Sequence, residues 1–387
     1  MQLSVIILNY NVRHFLEQCV LSVQNALATI EGEIIVIDNC STDDSCAMMQ
    51  TRFAEVQLIQ NTKNLGFPKG NNIGVAAAKG QYVCILNPDT VVAEDTFIKV
   101  LAFAKAKKNL GIIGVQLIDG AGNFLPESKR GIPTPWVAFT KVTGLYRLFP
   151  RIKWFNQYYA QHLGTNQTGK VAILVGAFMF MSRQLYQEVG GFDEDCFMYS
   201  DDIDLSYQVL KSGRDNFYFH DTTVIHYKGE STIKDYTYMK RFQEAMRFFY
   251  QKNFKVSYLF ETFMYLGIFF FAAIKQLQGK PKIQKEPLQY LCFSANEKLA
   301  HELQSILKKE VVIRSFEGKK SIQECLTELN SGTEIILDNT FISFKECITV
   351  LKFLKNKGIT FKIIPKSTDF LIGSNTSNEK GVVIKIR

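Results

Sequence analysis

The sequence lacks the glycine-rich turn that a dinucleotide-binding fold places after its first strand. The corresponding turn, Leu8-Asn9-Tyr10-Asn11, contains no glycine, whereas a pyrophosphate normally sits on a glycine-rich turn at that point. This absence argues against NAD or FAD as a cofactor. The eight cysteines also show no CxxC spacing, which favours free, mostly buried thiols in a reducing cytoplasm.

Acidic residues are missing from one long stretch of the chain. From Ser128 to Lys170 there are seven Lys or Arg and no Asp or Glu, and the stretch is rich in aromatic residues. From Lys228 to Lys285, eleven basic residues face four acidic ones. Basic and aromatic composition fits either a nucleic-acid groove or the anionic face of a membrane, and charge alone does not choose between them.

The sequence contains no long hydrophobic run that is free of polar residues, but one window comes close. Val256 to Ile274 spans 19 residues, with Ser257, Glu261, Thr262 and Gly267 as its only interruptions. Glu261 at the centre of a bilayer would cost about 2.5–3.5 kcal/mol, so we favour a helix that lies in the membrane interface. A bilayer-spanning helix and an aromatic-rich core helix are the alternatives.

No signal peptide precedes the first predicted strand, because Met1-Gln2 runs directly into Leu3. Together with the interfacial helix, this predicts a cytoplasmic protein that is peripheral at the inner face of the plasma membrane. The expected partners therefore include a membrane surface and exclude nucleic acid.

Strand and helix patterns alternate over the first 125 or so residues. The predicted strands are Leu3–Leu8, Glu33–Asp38, Val56–Gln60 and Tyr82–Leu86, and the predicted helices are Val12–Leu27, Asp43–Phe53 and Asn71–Ala78. Such alternation implies a parallel sheet with helices on both faces, which is a doubly wound α/β fold. Further on, we predict a strand over Val171–Met181, a helix over Ser182–Val189, and a helix that begins after Ser200 as its N-cap.

Three carboxylate sites follow apolar segments in distant parts of the chain. Asp38 and Asp89 end predicted strands, and Asp202 lies in the segment from Gly190 to Leu205, where aromatic residues precede three closely spaced acids. Buried parallel strands deliver polar groups to one edge of a sheet. The sequence therefore predicts that these acids converge at one cleft.

Four motifs in order resemble the inverting nucleotide-sugar glycosyltransferases of family 2, particularly their rhamnosyltransferase-like branch, which have a GT-A type fold. They are Val5-Ile6-Ile7-Leu8-Asn9-Tyr10-Asn11, the stretch from Asn64-Leu65-Gly66-Phe67 through Gly70-Asn71-Asn72-Ile73-Gly74 to Asn87-Pro88-Asp89, the segment Gly190 to Leu205, and His226-Tyr227-Lys228-Gly229-Glu230-Ser231. The resemblance covers roughly residues 1–250.

The resemblance implies a role for each matching residue. Asp38 and Tyr10 would hold the nucleotide base, and Asn64, Gly66, Asn71 and Asn87 would border the donor. Asp89 would coordinate Mg²⁺ or Mn²⁺ bound to the diphosphate, with His226 completing that site. The chain departs from many members by having Asn87 where they carry a first aspartate, which weakens the case for a metal. Read alone, Asn87-Pro88-Asp89 is also a turn that ends a strand.

Inversion needs one base, and Asp202 matches the residue that takes this role in the family. Asp201 is the second candidate catalytic residue, and Asp204 follows in the same turn. The alternative is that these acids only complement a helix dipole, which favours a carboxylate by about 0.3–1 kcal/mol. Gly66 and Gly70 could likewise let the backbone approach the donor or simply supply turns.

The domain prediction has three parts. Residues 1–250 form the catalytic domain, residues 251–283 hold the basic apolar helix and a linker at Gly279-Lys280-Pro281, and residues 284–387 form a small α/β domain of unknown role. Its predicted strands are Leu288–Phe293, Val311–Ser315, Glu334–Leu337, Phe361–Ile364 and Val382–Ile386.

The predicted activity is transfer of a sugar, such as rhamnose or another hexose, from a nucleotide-diphosphate donor to a hydroxyl of a glycan or lipid-linked glycan. The first alternative is a non-catalytic protein that binds nucleotide sugars or acts as a scaffold at the membrane. The second is a nucleotidyltransferase, which ranks lower because the expected glycine-rich, basic N-terminal loop is absent.

Overall fold

A computed structural model describes residues 1–149, 152, 154–228, 236–254, 286–314, 329–376 and 380–386. The predicted interfacial helix over 256–274, the linker at 279–281 and the Gly229-Glu230-Ser231 end of the fourth motif lie outside these residues. Within the described ranges, none of the helices has the length and apolar content needed to cross a membrane.

The first sheet carries the predicted site. In spatial order its main strands are β3 (Gln57–Gln60), β2 (Gly32–Asp38), β1 (Leu3–Asn9), β4 (Tyr82–Leu86), β8 (Phe178–Ser182), β6 (Leu110–Ile118), β9 (Asp215–His226) and β5 (Thr90–Val91), with β7 (Gly169–Lys170) beside β9. Strands β1 to β4 pair in parallel, and β8 is antiparallel to β4. Since the chain moves outward from β1 to β3 and then returns to the other side of β1, a ligand crevice is expected at the carboxyl ends of β1 and β4.

Helices cover both faces of this sheet. They are α1 (Arg13–Leu27), α2 (Ser45–Arg52), α3 (Gly66–Ala77), α4 (Thr96–Lys105), α5 (Pro135–Val142), α6 (Leu145–Leu148), α7 (Arg183–Glu188), α8 (Asp201–Lys211) and α9 (Tyr236–Asn253). One buried apolar cluster lies between the sheet and α1, α2 and α4, and another lies between the sheet and α3, α7 and α8. The predicted α/β fold with helices on both faces is therefore confirmed.

Glycines allow α3 to lie unusually close to the sheet. A Cβ atom at Gly70 would lie 2.4 Å from Leu8 Cδ1, and one at Gly74 would lie 2.5 Å from atoms of both Ile6 and Ile37. The prediction that the helix begins at Asn71 was wrong by five residues, because the glycines before that point serve close packing and do not interrupt the helix. Gly70 is thus not a turn residue.

Two parts of the strand prediction for the first sheet were wrong. The expected strand Val171–Met181 shrinks to β8, since residues 171–177 run irregularly, with only an isolated bridge between Ile173 and Arg130. The long strands β6 and β9 were missed. Both are mostly buried, and their mutual pairing is parallel with register shifts. The aromatic and polar residues of β9 break the simple alternation that marks a strand in sequence.

The last hundred residues form a second sheet. Its strands lie in the order β11 (Val311–Arg314), β10 (Gln289–Phe293), β12 (Thr333–Asp338), β13 (Thr360–Ile364), β14 (Phe370–Gly373) and β15 (Val382–Lys385), with helices α10 (Glu297–Leu307) and α11 (Phe344–Leu354). The five predicted strands are present within about one residue at each end, and β14 was missed. One buried cluster joins this sheet to the first, since it contains Val91, Ile225 and Tyr227 together with Phe344 and Phe370.

Candidate active site

The ends of β1 and β2 hold the first predicted site residue. Asn9 and Asp38 are register partners in the parallel pair, and the Asn9 side chain donates to Asp38 Oδ1 at 2.8 Å. The backbone amide of Ser41 donates to the other carboxylate oxygen at 2.8 Å. Asp38 is buried and held rigidly, while neighbouring Tyr10 is 39% exposed at the rim of the same strand end.

An asparagine network connects Asp38 to the start of α3. Asn39 donates to Asn64 Oδ1 at 2.9 Å and to the Gly66 carbonyl at 3.2 Å. Asn39 Oδ1 in turn accepts from the amide of Leu65 at 3.0 Å. Asn64 therefore lies beside the end of β2, and its side chain is oriented by Asn39.

Gly66 brings two of the sequence motifs together. Its φ of +82° is in the left-handed region, and an added Cβ would lie 2.8 Å from the Phe197 carbonyl. The amide of Phe67 donates to that same carbonyl at 3.1 Å. Asn71, one turn further along α3, is fully buried, and its Oδ1 has no partner among the described residues. An amide oxygen without a partner can accept a hydrogen bond from a hydroxyl or amine group of a ligand.

Asn87, Asp89 and His226 meet where β4 ends and β9 ends. His226 Nε2 lies 3.4 Å from both Asp89 Oδ1 and the Asn87 side-chain nitrogen. Asp89 Oδ2 accepts from the backbone amide of Lys228 at 3.1 Å. Thr90 and His226 are register partners in β5 and β9. This pairing is why Asp89 and His226, which are 137 positions apart in the chain, become neighbours.

These three side chains are of the types that a small hard cation accepts. Asn87 Oδ1 and His226 Nδ1 are buried and have no partner among the described residues, and carboxylate, amide and imidazole atoms are ligands that Mg²⁺ or Mn²⁺ accepts. In the described part of the chain, no three His, Cys, Asp or Glu side chains gather into a metal cluster. A cation here would therefore also need oxygens from the donor's phosphates.

Asp202 lies in the first turn of α8 and is held from two directions. Arg130 Nη2 donates to Asp202 Oδ2 at 2.5 Å, and the amide of Gly176 donates to the same oxygen at 3.1 Å. Both charged side chains are nearly buried. Burial of the guanidinium lowers the pKa of Arg130, but the Asp202 carboxylate together with Tyr158 and Glu127 more than offsets this effect, so the pKa lies above its ordinary value.

Asp201 is also buried, directly before Asp202. Burial, followed by the negative charge of Asp202, raises the pKa of Asp201 to about 7. The backbone amides of the α8 N-terminus act in the opposite direction but do not offset these effects. Ser200 occupies the predicted N-cap position, yet its side chain makes no cap hydrogen bond; it lies 3.2 Å from Cys196 Sγ.

Two adjacent backbone residues, Gly176 and Ala177, connect the acid sites. The amide of Asn87 donates to the Ala177 carbonyl at 3.1 Å, while the Gly176 amide binds Asp202. A Cβ at Gly176 would lie 3.5 Å from both Asp202 Cβ and the Phe67 ring. The segments bearing Asp89, Asn64 to Asn71 and Asp202 therefore lie together at the strand ends where a ligand crevice is expected, and Asp38 lies at the same edge of the sheet.

Four contributors to this crevice were not predicted from sequence as site residues. Asn9 and Asn39 follow buried strands, so strand-end position could have identified them. Arg130 and Gly176 lie in segments of irregular structure, and their role depends on contacts with residues tens of positions away. Nothing local in the sequence marks them.

A sequence profile described as Glycosyl transferase family 2 matches residues 4–190. Among curated proteins, the chain is 27% identical over 245 residues to an N-acetylglucosaminyl-diphospho-decaprenol L-rhamnosyltransferase of Mycobacterium tuberculosis, covering 60% of this chain and 78% of that one. It is 25% identical over 215 residues to the low-salt glycan biosynthesis hexosyltransferase Agl10 of Haloferax volcanii, covering 54% and 62%.

Among solved structures, the mannosyltransferase PcManGT of Pyrobaculum calidifontis, in complex with GDP-Man and Mn²⁺, is 17% identical with a TM-score of 0.47. That match covers 72% of this chain and 76% of the other. Residues 1–349 of S. aureus TarS, in complex with UDP-GlcNAc, are 16% identical with a TM-score of 0.44, covering 70% and 72%. Asp202 and His226 lie beyond the residues that the family profile matches.

Proposed function

Because residues 4–190 match the Glycosyl transferase family 2 profile, we propose that the chain is an inverting hexosyltransferase of that family. It moves rhamnose or another hexose from a nucleoside diphosphate to a hydroxyl of a glycan or lipid-linked glycan in cell-wall or polysaccharide synthesis. The main structural support is that two adjacent residues connect the acid sites. The Gly176 amide donates to Asp202, and the Ala177 carbonyl accepts from the amide of Asn87. The names of the relatives, a rhamnosyltransferase and a hexosyltransferase, support the substrate classes.

The donor occupies the crevice at the carboxyl ends of β1, β2 and β4. The nucleotide base lies against Tyr10 and Asp38, whose carboxylate is fixed by Asn9 and Ser41. Asn64, Gly66 and Asn71 border the donor, and the unpartnered Asn71 Oδ1 accepts a hydrogen bond from it. In this arrangement the pre-set asparagine network reduces the entropy cost of binding.

Asp89 and His226, with Asn87 beside them, would hold a divalent cation. When bound, that cation neutralises the charge that develops on the departing diphosphate. Mg²⁺ or Mn²⁺ suits these oxygen and imidazole ligands. The residues themselves fix where the diphosphate lies, since Asp89 is tied to the Lys228 amide.

Asp202 acts as the base. Its Oδ2 is occupied by Arg130 and the Gly176 amide, so Oδ1 accepts the proton of the acceptor hydroxyl. The acceptor oxygen then forms a bond to the anomeric carbon, while the bond from that carbon to the diphosphate oxygen breaks with its electron pair. One displacement inverts the anomeric configuration. Asp201, whose pKa is raised to about 7, carries less negative charge than an ordinary aspartate and so limits repulsion of the nucleotide.

We also assign the enzyme to the inner face of the plasma membrane, where a lipid-linked acceptor would be reached. The basic apolar stretch over 256–274 supports this location by its composition. Truncation of residues 254–280 should then weaken retention of the protein in the membrane fraction.

Nucleotide-sugar binding and turnover test the function together. Unfolding temperatures are measured with GDP-, UDP- and dTDP-sugars, with Mn²⁺ or with EDTA, and transfer or slow hydrolysis of the stabilising donor is then assayed. We expect one donor to raise the unfolding temperature in a cation-dependent way. Asp202→Asn should keep that stabilisation while turnover falls by about 10²–10⁴-fold. Asp195→Asn, at an exposed position of the same segment, is the control.

If none of the nucleotide sugars raises the unfolding temperature, the proposal that the donor is a nucleotide sugar is rejected. Normal turnover in Asp202→Asn would remove Asp202 from its role. Donor binding without any transfer or hydrolysis would instead support the non-catalytic alternative.

A further inference from the structure

Large hydrophobic side chains are exposed together on one short stretch of the surface. Among the described residues, five of the 14 exposed large hydrophobics fall within residues 136–154. They are Trp136, Leu148, Phe149, Ile152 and Trp154, which we call the aromatic patch. Trp154 and Leu148 are 72% and 71% exposed. Clustered apolar exposure of this kind marks an interaction surface, whereas single exposed residues do not.

The aromatic patch is an ordered surface. Trp136 Nε1 donates to the Trp154 carbonyl at 2.9 Å, which connects the two ends of the patch. The half-buried ring of Phe155 lies 5.7 Å from that of Trp136 and 5.3 Å from that of Phe149. The amide of Ile152 donates to the Phe149 carbonyl at 3.2 Å. These contacts within the patch therefore fix the positions of its exposed side chains.

The sequence of the patch carries charge of one sign only. Residues 136–154 include two Lys and two Arg, with no Asp or Glu, and the acid-free stretch continues from 128 to 170. Basic residues near an anionic bilayer contribute about 1 kcal/mol each, and Trp and Phe favour the level of the lipid headgroups. A nucleic acid would use the aromatic rings for stacking, but it has no partner for the exposed aliphatic side chains of Leu148 and Ile152.

The patch adjoins the acceptor side of the active site. Arg130, which binds Asp202, lies shortly before α5, and the amide of Gly131 donates to the Tyr158 carbonyl just after the patch. The Tyr158 side chain hydrogen-bonds with Arg130. On α5, Lys141 hydrogen-bonds with the hydroxyl of Tyr159. The patch is thus connected at both ends to the arginine that positions the proposed base.

We propose that the aromatic patch docks onto an anionic lipid bilayer and holds the acceptor side of the active site against the membrane surface. The second part rests on the proposed function, since it assumes a lipid-linked acceptor. The first part does not, because docking depends only on the apolar and basic surface.

The chain offers a direct probe, since its only two tryptophans, Trp136 and Trp154, both belong to the patch. Tryptophan emission of the full chain is recorded with vesicles of phosphatidylglycerol and phosphatidylethanolamine, and with vesicles of phosphatidylcholine alone. We expect a blue shift with the anionic vesicles only, quenching by brominated anionic lipid, and weakening by salt. Leu148→Ser with Ile152→Ser keeps both tryptophans and should weaken binding roughly tenfold or more.

The matched control is Phe341→Ser with Phe353→Ser, which removes exposed apolar side chains from the turn before α11 and from α11 itself. It should bind vesicles like the wild type. Sedimentation with vesicles but no tryptophan shift would overturn the proposal, because another segment would then make the contact. An emission shift produced by single-stranded RNA or by dimerisation, and not by vesicles, would also overturn it. Donor stabilisation and turnover with a soluble acceptor, measured without vesicles, show separately whether the proposed function fails.

Discussion

At the scale of single residues, the two oxygens of Asp202 have different environments. Oδ2 receives hydrogen bonds from Arg130 and the Gly176 amide, while Oδ1 receives none within the part of the chain that the structure describes. A carboxylate anchored through one oxygen presents the other in a fixed direction, and such positioning accounts for much of the efficiency of a base. In the proposed mechanism, Arg130 would therefore act as a positioning residue as well as a counter-charge.

Replacing Arg130 with Met should damage both stability and turnover. The change leaves the carboxylate of Asp202 buried without its partner, and breaking a buried ion pair in this way costs about 3–5 kcal/mol. Arg130→Lys keeps the charge but loses the second hydrogen bond, which the guanidinium makes to the Leu174 carbonyl. We expect Lys to restore most of the stability and only part of kcat. Urea unfolding and steady-state kinetics measure the two effects, and a Lys variant with wild-type kcat would contradict the positioning role.

Asp201 should make stability depend on pH in an unusual direction. Burial and Asp202 raise its pKa from 3.8 to about 7, so the folded state binds a proton that the unfolded state has released. The stabilising effect of this proton is complete below about pH 4, is lost as pH rises to 7, and stays absent above that. Asp201→Asn removes this pH dependence. Its free energy of unfolding, relative to that of the wild type, should therefore rise by about 2–4 kcal/mol between pH 4 and pH 8.

Urea midpoints at pH 5 and pH 8 measure the effect. The gain of Asp201→Asn over wild type should be larger at pH 8. Asp195→Asn at an exposed position serves as control and should show no such difference. Equal gains at both pH values would mean that Asp201 is ionised at pH 5 as well.

The sequence predicts the position of a residue in the fold well where a strand end or a motif marks it. Asp38, Asn64, Asp89 and His226 lie where the pattern indicated, with Asp89 and His226 in contact. Arg130 could not be found in this way, because its partner is 72 positions away and its own segment has no regular structure. The role of each predicted residue still depends on the variants described above.

At the scale of elements, α3 shows how glycine can define a helix face. Gly74 faces Ile6 and Ile37, and an added methyl group would lie 2.5 Å from both side chains. Overpacking of a closed core costs about 1–3 kcal/mol. Gly74→Ala should therefore destabilise the protein, although alanine is the better helix former by about 1 kcal/mol.

Ala76→Ser adds one atom on the exposed face of the same helix and is the matched control. Its effect should stay within about 0.5 kcal/mol. Donor binding provides a second measurement, because a displaced α3 also shifts Asn71. A Gly74→Ala variant more stable than wild type would show that the sheet yields to the methyl group and that packing does not require the glycine.

The accuracy of the element predictions followed the local pattern. Strands β1, β2 and β4 are continuous apolar runs and were predicted within about one residue. Strands β6 and β9 pair across a register shift, and their sequences mix glycine, polar and aromatic residues. Their strand character comes from pairing with each other, and in β6 also from pairing with β8, so it depends on residues that are far apart in the chain.

At the scale of the whole molecule, the second sheet is attached to the first by specific contacts. Glu94 follows β5, and its carboxylate accepts from the amides of Phe344 and Lys345 at 2.8 and 2.9 Å. It thereby satisfies the N-terminus of α11 from the other sheet. Lys352 reaches back to Gln116 and Thr223 at 2.7 and 2.9 Å. The sequence predicted a separate small domain, but it could not indicate a shared core, since neither partner carries a local signal.

The two sheets should therefore unfold together. Calorimetry of the full chain should show one transition, and a chain that ends at residue 254 should unfold at a much lower temperature and bind a dye for exposed apolar surface, because Val91, Ile225 and Tyr227 lose their cover. Glu94→Gln tests the junction alone and should cost about 0.3–2 kcal/mol through the weakened α11 N-terminus. Glu297→Gln is the matched control, because it removes a carboxylate from the exposed first turn of α10, which packs on the second sheet alone. Two resolved transitions, or a shortened chain with the stability and donor binding of the whole, would show that the sheets fold independently.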